Sequence, residues 1–249
     1  MLDRLPTIAV GIICKTPAAG FCKTRLSPPL APEDCAGLSA CFIRDLANTI
    51  SELAADGGVA PYAVYTPIGS EATLRTLLSR DFRLQCQVDG GFGTRLRTGL
   101  SDLLNAGHAG AILVNSDSPT LPVTILRQAV DAVREKRGVV LSPAFDGGYT
   151  LIGVSEIGNQ LFENIPWSTA DVYRLTVERA RQIGRPVFNV PAWYDVDDAE
   201  SLNILCDEFL GKPIPFGAKG MTGAAASFTR EFLARHLVRK VEPAASLCE

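Results

Sequence analysis

Residues 8–26, IAVGIICKTPAAGFCKTRL, carry the reading on which the rest of the chain depends. Ile8 to Ile13 form a short apolar run rich in isoleucine and valine, the composition of a strand buried on both faces. Directly after it come Lys15, Thr16, Pro17, Gly20, Lys23, Thr24 and Arg25. A buried strand that runs into a loop bearing glycine and three cations is a natural anion site. Gly20 lets backbone N–H groups approach a phosphate, while Lys23 and Arg25 bring charge and a bidentate fork. The competing reading is a solvated turn with incidental cations, because short basic turns are common. The loop is not of the Walker type, since G-x-x-x-x-G-K-[ST] does not occur in it.

Composition narrows the classes. A chain of 249 residues can bury a sizeable core as one large α/β domain or two small ones. Its 47% hydrophobic and 20% charged residues point to a soluble globular protein. A net charge of −3 argues against nucleic-acid or membrane-surface binding, each of which needs a basic face. No apolar run reaches the roughly 18 residues of a membrane span, and the opening MLDRLPTIAV lacks a signal-peptide layout. The seven cysteines (14, 22, 35, 41, 86, 206 and 248) form no C-x-x-C, so reduced thiols in a cytoplasm are expected. Cys22 lies in the basic loop, but neither His108 nor His236 offers the partner context of a catalytic cysteine.

Hydrophobic periodicity then lays out the elements. Helical spacing runs from Ala31-Pro32 to about Leu53, and Asp56-Gly57-Gly58 stops it. Strands are expected over 59–66, 82–88, 111–114, 138–142 and 187–190, and helices over 71–78, 94–105, 123–134, 169–182 and 199–209. Short apolar strands alternating with longer helices argue for βαβ units on a mostly parallel sheet. Beyond residue 210 the chain changes character. Gly- and Pro-rich residues 211–222 lead into an amphipathic helix over 227–238, with Phe228, Phe232, Leu233 and Leu237 on one side. That helix either packs back on the body, the favoured reading, or makes a homodimer contact. The expected division is one α/β domain over 1–210 and an appended tail over 211–249.

The polar clusters follow the strand candidates, so an open sheet would gather them on one rim. Asp117 follows the apolar run AILVN and is flanked by Ser116, Ser118 and Pro119. A carboxylate there suits a Mg²⁺ or Mn²⁺ site beside the phosphate loop, or caps the helix from Val123. Asp146-Gly147-Gly148 is hairpin-turn chemistry whose glycines would also admit a substrate to the backbone. Pro166-Trp167-Ser168-Thr169 precedes a helix, with Ser168 or Thr169 as N-cap and an anion as its alternative partner. In the extended segment Trp193-Tyr194-Asp195-Val196-Asp197-Asp198, Asp195 and Asp197 point to one side. They are paired metal ligands or the acidic approach to a helix, with Asp197 or Asp198 capping it.

Five motifs, in order, resemble one family. Lys15, Pro17, Gly20, Lys23, Thr24, Arg25 and Leu26 match A-K-x-P-x-x-G-x-x-K-T-R-L. Ser116, Asp117, Pro119, Leu121 and Pro122 match S-D-x-P-x-L-P, and Asp146 to Gly153 match D-G-G-Y-x-L-I-G. P-W-S-T and W-Y-D-V-D are complete at Pro166 to Thr169 and Trp193 to Asp197. Over roughly residues 8–210 the chain resembles the nucleotide-diphospho-sugar transferase superfamily, of the glycosyltransferase-A type. Within it, the motifs are similar to those of a bacterial transferase group associated with radical-SAM/selenodomain proteins and related to molybdenum-cofactor and 2-phospholactate guanylyltransferases. Asp198 replaces the group's usual threonine, and residues 90–96, GGFGTRL, depart from its G-D-L-G-x-R-M.

The resemblance implies an α/β, Rossmann-like three-layer sandwich binding a nucleotide across the strand ends. It implies divalent metal, Mg²⁺ or Mn²⁺, on Asp117 with Asp195 or Asp197. Nucleotide contacts would come from Lys15, Gly20, Lys23, Arg25, Gly93, Arg95 and Ser116. Gly147, Gly148, Tyr149, Trp167, Ser168 and Thr169 would face a small-molecule acceptor. Lys23, Arg25, Asp117 and Asp146 would carry the chemistry. The basic loop favours nucleotidyl transfer from an NTP to a small phosphorylated or acidic acceptor, because a leaving pyrophosphate develops charge. Glycosyl transfer from a nucleotide-diphospho-sugar, with Asp146 as base, is the alternative, and a non-catalytic nucleotide-binding protein is the third reading.

Overall fold

Strand β1 (Ile8–Lys15) is buried along its length except at Lys15, and its side chains alternate between two cores. Ile8, Val10, Ile12 and Cys14 enter one core; Ala9 and Ile13 enter the other. That period of two, with apolar residues on both sides, is what a central strand covered by helices requires. The computed structural model describes residues 6–28, 30–214 and 220–241.

The chain runs β1, α1 (Pro32–Ala55), β2 (Val59–Thr66), α2 (Glu71–Arg75), β3 (Arg83–Cys86), α3 (Phe92–Asn105), β4 (Gly110–Asn115) and α4 (Val123–Arg134). It continues through β5 (Val139–Pro143), β6 (Tyr149–Val154), α5 (Val172–Gln182), β7 (Val187–Asn189), α6 (Ala199–Phe209) and α7 (Ser227–Val241). The sheet order is β3-β2-β1-β4-β6-β5-β7, parallel except that β6 runs antiparallel to β4 and β5. Helices α1 and α4 cover one face and α3 and α5 the other, giving the three-layer α/β sandwich that the resemblance implies. From β1 the chain builds outward to β3 and then returns to lay β4 on the other side of β1. The carboxyl ends of β1 and β4 therefore flank the crevice where the strand order reverses.

Most elements form where the periodicity places them, and the exceptions have local causes. Helix α2 stops at Arg75, not residue 78, because Thr76 N–H and its hydroxyl both donate to the Thr73 carbonyl and tighten the turn. Helix α5 starts at Val172, not residue 169, since Ser168 has φ +66° and the Thr169 hydroxyl donates to the Pro166 carbonyl at 2.7 Å. Neither Ser168 nor Thr169 is its N-cap; that position is Asp171. Among the described residues no helix is long and apolar enough to cross a membrane.

The C-terminal helix is seated on α1. Asp45, buried in α1, accepts the backbone N–H groups of Phe228 and Thr229 at 3.0 and 2.8 Å and the Thr229 hydroxyl at 2.6 Å. Two orphan donors at the start of α7 are thus satisfied by a carboxylate on another helix. Phe232 lies over Gly37, where a side chain would leave no room, and Arg44 stacks on the Phe228 ring at 3.8 Å. The Leu237 side chain, residues 215–219 and Cys248 lie outside the described set. Asp45→Ala should lower folding stability by roughly 1–3 kcal/mol, because the N–H groups it satisfies lie in a buried contact. Denaturant titration checks the loss, and a variant as stable as the parent would show that the contact contributes little.

Candidate active site

Three loops at the carboxyl ends of the strands converge on one ammonium group. Lys23 takes a left-handed backbone, φ 51° and ψ 36°, where the loop after β1 enters a 3₁₀ turn at Thr24–Leu26. Its side chain is only 4% exposed, and Nζ lies 5.4 Å from the centre of the Phe42 ring. Nζ donates to Asp117 Oδ1 at 2.7 Å, to Asp197 Oδ1 at 2.9 Å and to the Val196 carbonyl at 2.7 Å. The Val196 N–H also donates to the Asp117 carbonyl at 2.8 Å, so the two acidic loops are joined along the backbone as well. Lys23 thus holds carboxylates here, not phosphates: all three of its hydrogens are taken.

The capping question is settled by Ser201. Asp198 is the N-cap of α6, accepting from Ser201 N–H at 2.9 Å, while Ser201 Oγ accepts from the backbone N–H groups of Asp197 and Asp198. Asp198 takes the cap and leaves the Asp197 side chain for Lys23 and, at 3.7 Å, for Arg25. On the β4 side, Asn115 Oδ1 accepts from Asp117 N–H and Ser118 Oγ, which folds the strand end into a turn and presents Asp117.

A cavity of about 330 Å³ opens beside this cluster, lined by Lys15, Arg25, Gln87, Arg95, Ser116 and Asp117 among others. The size suits a small-molecule site. Gln87 was not singled out in the sequence, since a lone amide after a strand carries no signature. It donates to the Cys14 and Val64 carbonyls at 3.0 and 2.8 Å, which turns its oxygen to accept from Arg95 at 3.3 Å. Arg95 Nε is buried without a protein partner, and exposed Phe21 and Phe92 add aromatic surface to the lining. A second cavity of about 260 Å³ shares Arg25 and Asp197 with the first and adds Phe145, Asp146, Asp195 and Glu200. Burial, then the neighbouring Asp146, Asp197 and Asp117, push the Asp195 carboxyl up to about 7.

Other expected contact residues are placed elsewhere. Gly20 supplies a left-handed turn, φ 77°, beside the cavity and not in its lining. Gly93 is packed under Trp167: a Cβ there would stand 2.8 Å from Trp167 Nε1 and 3.0 Å from the Phe162 carbonyl. Trp167 itself meets the Phe92 ring edge to face and stacks on Phe162, so it braces α3. Gly147, φ 88°, presses on the Ala170 backbone, where a Cβ would meet the carbonyl oxygen at 2.1 Å. The Gly147 position is therefore filled by the protein's own backbone, while Gly148 N–H closes an Asx turn on Asp146 at 2.8 Å. The Tyr149 ring packs in the core under α5, and its hydroxyl is buried. Of the six residues expected to face an acceptor, none lines the acid-rich cavity. The Cys14 thiol is raised to about 12 by burial and by Asp117, which keeps it in the thiol form.

The donor set fits a hard divalent cation. All its atoms are carboxylate oxygens, and Asp117 and Asp197 lie close enough to share one ammonium. Mg²⁺ commonly takes one or two protein carboxylates and completes its shell with water and substrate phosphate. Among the described residues no group of three His, Cys, Asp or Glu side chains is arranged as a cage. The set therefore suits an ion held jointly with a phosphate.

Comparison with known proteins gives the same fold. The DUF2064 family model, described as an uncharacterized protein conserved in bacteria, matches residues 49–169. No curated protein matches the sequence. The crystal structure of a candidate nucleotide-diphospho-sugar transferase from Desulfovibrio desulfuricans G20 is 25% identical, with a TM-score of 0.77 over 94% of this chain and 97% of the other. A cytidylyltransferase from Leptospira borgpetersenii serovar Hardjo-bovis is 11% identical, with a TM-score of 0.54 over 98% of this chain and 100% of the other. At that identity the second shares the fold alone.

The raised carboxyl of Asp195 has a stability consequence. Its folded value lies above the ordinary one of 3.8, so its ionisation costs folding free energy. The cost is absent at low pH, grows from about pH 4 and is complete above about pH 7. Asp195→Asn should melt at a higher temperature than the parent near pH 8 in chelator, with the difference shrinking toward pH 5. Thermal denaturation at both values checks this, and an equal difference at the two would refute it.

Proposed function

We propose that this protein is a metal-dependent, nucleotide-utilising transferase, and that it moves a nucleotidyl group from an NTP to a small phosphorylated or acidic acceptor. The observation that carries this reading is the pair of adjoining cavities at the β1/β4 crevice. One is lined by Lys15, Arg25 and Arg95, the other by Asp146 and Asp195, and Asp197 and Arg25 belong to both. A triphosphate in the first cavity would meet three cations whose charge matches that of a leaving pyrophosphate. The likeness to the Desulfovibrio protein described as a candidate nucleotide-diphospho-sugar transferase supports the transferase class. The five ordered motifs support placement in the radical-SAM/selenodomain-associated group, with residues 1–210 as the transferase domain. Free cysteines throughout the described residues accord with a cytoplasmic protein.

In this reading an oxygen of the acceptor attacks the α-phosphorus, and the bond from that phosphorus to the bridging oxygen breaks, releasing pyrophosphate. Lys15 and Arg95 hold the phosphates, and Arg25, 71% exposed, reaches them from the boundary between the cavities. Ser116 and Asp117 flank the triphosphate from the end of β4. A Mg²⁺ or Mn²⁺ ion held by Asp117 with Asp197 or Asp195 supplies charge neutralisation at the phosphates when bound. The acceptor brings its own anionic nucleophile, so no histidine is required.

The acid lining of the second cavity favours one other reading, transfer of a sugar from a nucleotide-diphospho-sugar to a neutral hydroxyl with Asp146 as base. Incubation with each NTP and with UDP- and GDP-sugars, plus Mg²⁺ or Mn²⁺, separates the two. Pyrophosphate release from an NTP with a phosphorylated acceptor is the expected result. Nucleoside-diphosphate release from a sugar nucleotide would sink nucleotidyl transfer, and binding without turnover of either would leave a nucleotide-binding protein. Asp117→Asn should lower turnover by roughly 10²–10³-fold while the circular dichroism spectrum is kept. Retained activity would remove Asp117 from the site.

A further inference from the structure

The contacts of Lys23 conflict with the phosphate-binding role that its place in the basic loop suggests. An ammonium has three hydrogens, and here they go to Asp117 Oδ1, Asp197 Oδ1 and the Val196 carbonyl at 2.7, 2.9 and 2.7 Å. These carboxylates are also the ones a divalent ion would use, so the two roles proposed for this corner of the site compete for the same atoms. We propose that Lys23 is an exchangeable internal counter-ion: its ammonium and a divalent cation compete for the Oδ1 atoms of Asp117 and Asp197, and the ion's arrival turns Lys23 into the nucleotide cavity.

Geometry supports the competition. An ion bound to a carboxylate oxygen at about 2.0–2.1 Å would stand roughly 4 Å from an ammonium on the same oxygen, and two cations at that distance repel strongly. Geometry also supports the exchange. Lys23 already lines the cavity of about 330 Å³ that holds Lys15, Arg25 and Arg95, so rotation of its flexible stem delivers the ammonium among the other cations. Arg25 differs: its side chain is 71% exposed and stands 3.7 Å from the other oxygen of Asp197, which leaves that contact compatible with an ion on Oδ1. The inference rests on the metal-dependent reading above and adds an order to it. The ion loads first, and only then does a triphosphate find its full set of cations.

The test is Mn²⁺ binding to the full-length protein without nucleotide, followed by calorimetry or by the electron paramagnetic resonance of free Mn²⁺. Lys23→Met should bind Mn²⁺ on the order of tenfold more tightly than the parent, whereas Arg25→Met should change the affinity by at most about threefold. With Mn²⁺ saturating, inorganic tripolyphosphate should bind Lys23→Met on the order of tenfold more weakly than the parent, because the released ammonium is missing. If Lys23→Met fails to fold, Lys23→Gln keeps a donor of similar reach and should show the same directions. A parent that binds Mn²⁺ and a variant that binds it equally or more weakly would make Lys23 a fixed strut and overturn this inference alone. No Mn²⁺ binding by parent or variant would overturn the metal-dependent reading and the inference with it.

Discussion

The ion cluster of Lys23, Asp117 and Asp197 is the contact on which the arrangement of this site depends. Removing an ammonium from water costs several kcal/mol, which two carboxylates and a carbonyl at hydrogen-bond distance offset. The residues involved come from the loop after β1, the loop after β4 and the approach to α6. They are brought together because the strand order reverses between β1 and β4, which leaves those strand ends side by side. Loss of both carboxylates would leave the buried ammonium without a charged partner, so the cluster constrains all three loops at once.

A hydrogen-bonded frame lies beneath the cluster. Trp193 Nε1 donates to the Thr120 hydroxyl at 3.2 Å, that hydroxyl donates to Tyr194 Oη at 3.3 Å, and Tyr194 donates to Glu208. Thr120 follows Asp117 by three residues and Trp193 precedes Asp195 by two, so the chain of bonds ties the two acidic segments together from behind. The Thr120 carbonyl also accepts from Ala224 N–H at 2.9 Å. That bond joins the frame to the segment leading into α7, whose first turn is held by Asp45. The C-terminal helix and the acidic loops therefore share one support.

Charge is unevenly distributed around this frame. Cations gather where Lys15, Arg25 and Arg95 meet, and carboxylates gather on the far side of Asp197. The separation explains why Asp195 resists ionisation: it is half-buried and faces three other carboxylates. It also gives the crevice two chemically different compartments with a shared wall, as a reaction joining a polyanionic donor to a separate acceptor requires.

Periodicity alone determined the mostly parallel α/β sheet and most of its elements, while the three-layer sandwich was what the resemblance implied. The two-residue alternation of β1 and the helical spacing of α1, α4 and α6 are properties of neighbouring residues, and burial selects directly for them. The strand-end positions of Lys15, Arg25, Asp117, Asp146, Asp195 and Asp197 were equally legible, because turn chemistry follows apolar runs. What the sequence could not decide was which charges meet. Lys23 and Asp197 are 174 residues apart, and a basic loop looks the same whether its lysine turns to a phosphate or to carboxylates. Gly93, Gly147 and Trp167 stand in motifs that read as substrate contacts, yet each is taken up by packing against the protein itself. Gln87, with no signature in the chain, became a cavity residue only when β1, β2 and α3 were brought together. Local pattern sets which face a residue lies on, and tertiary structure decides what it touches there.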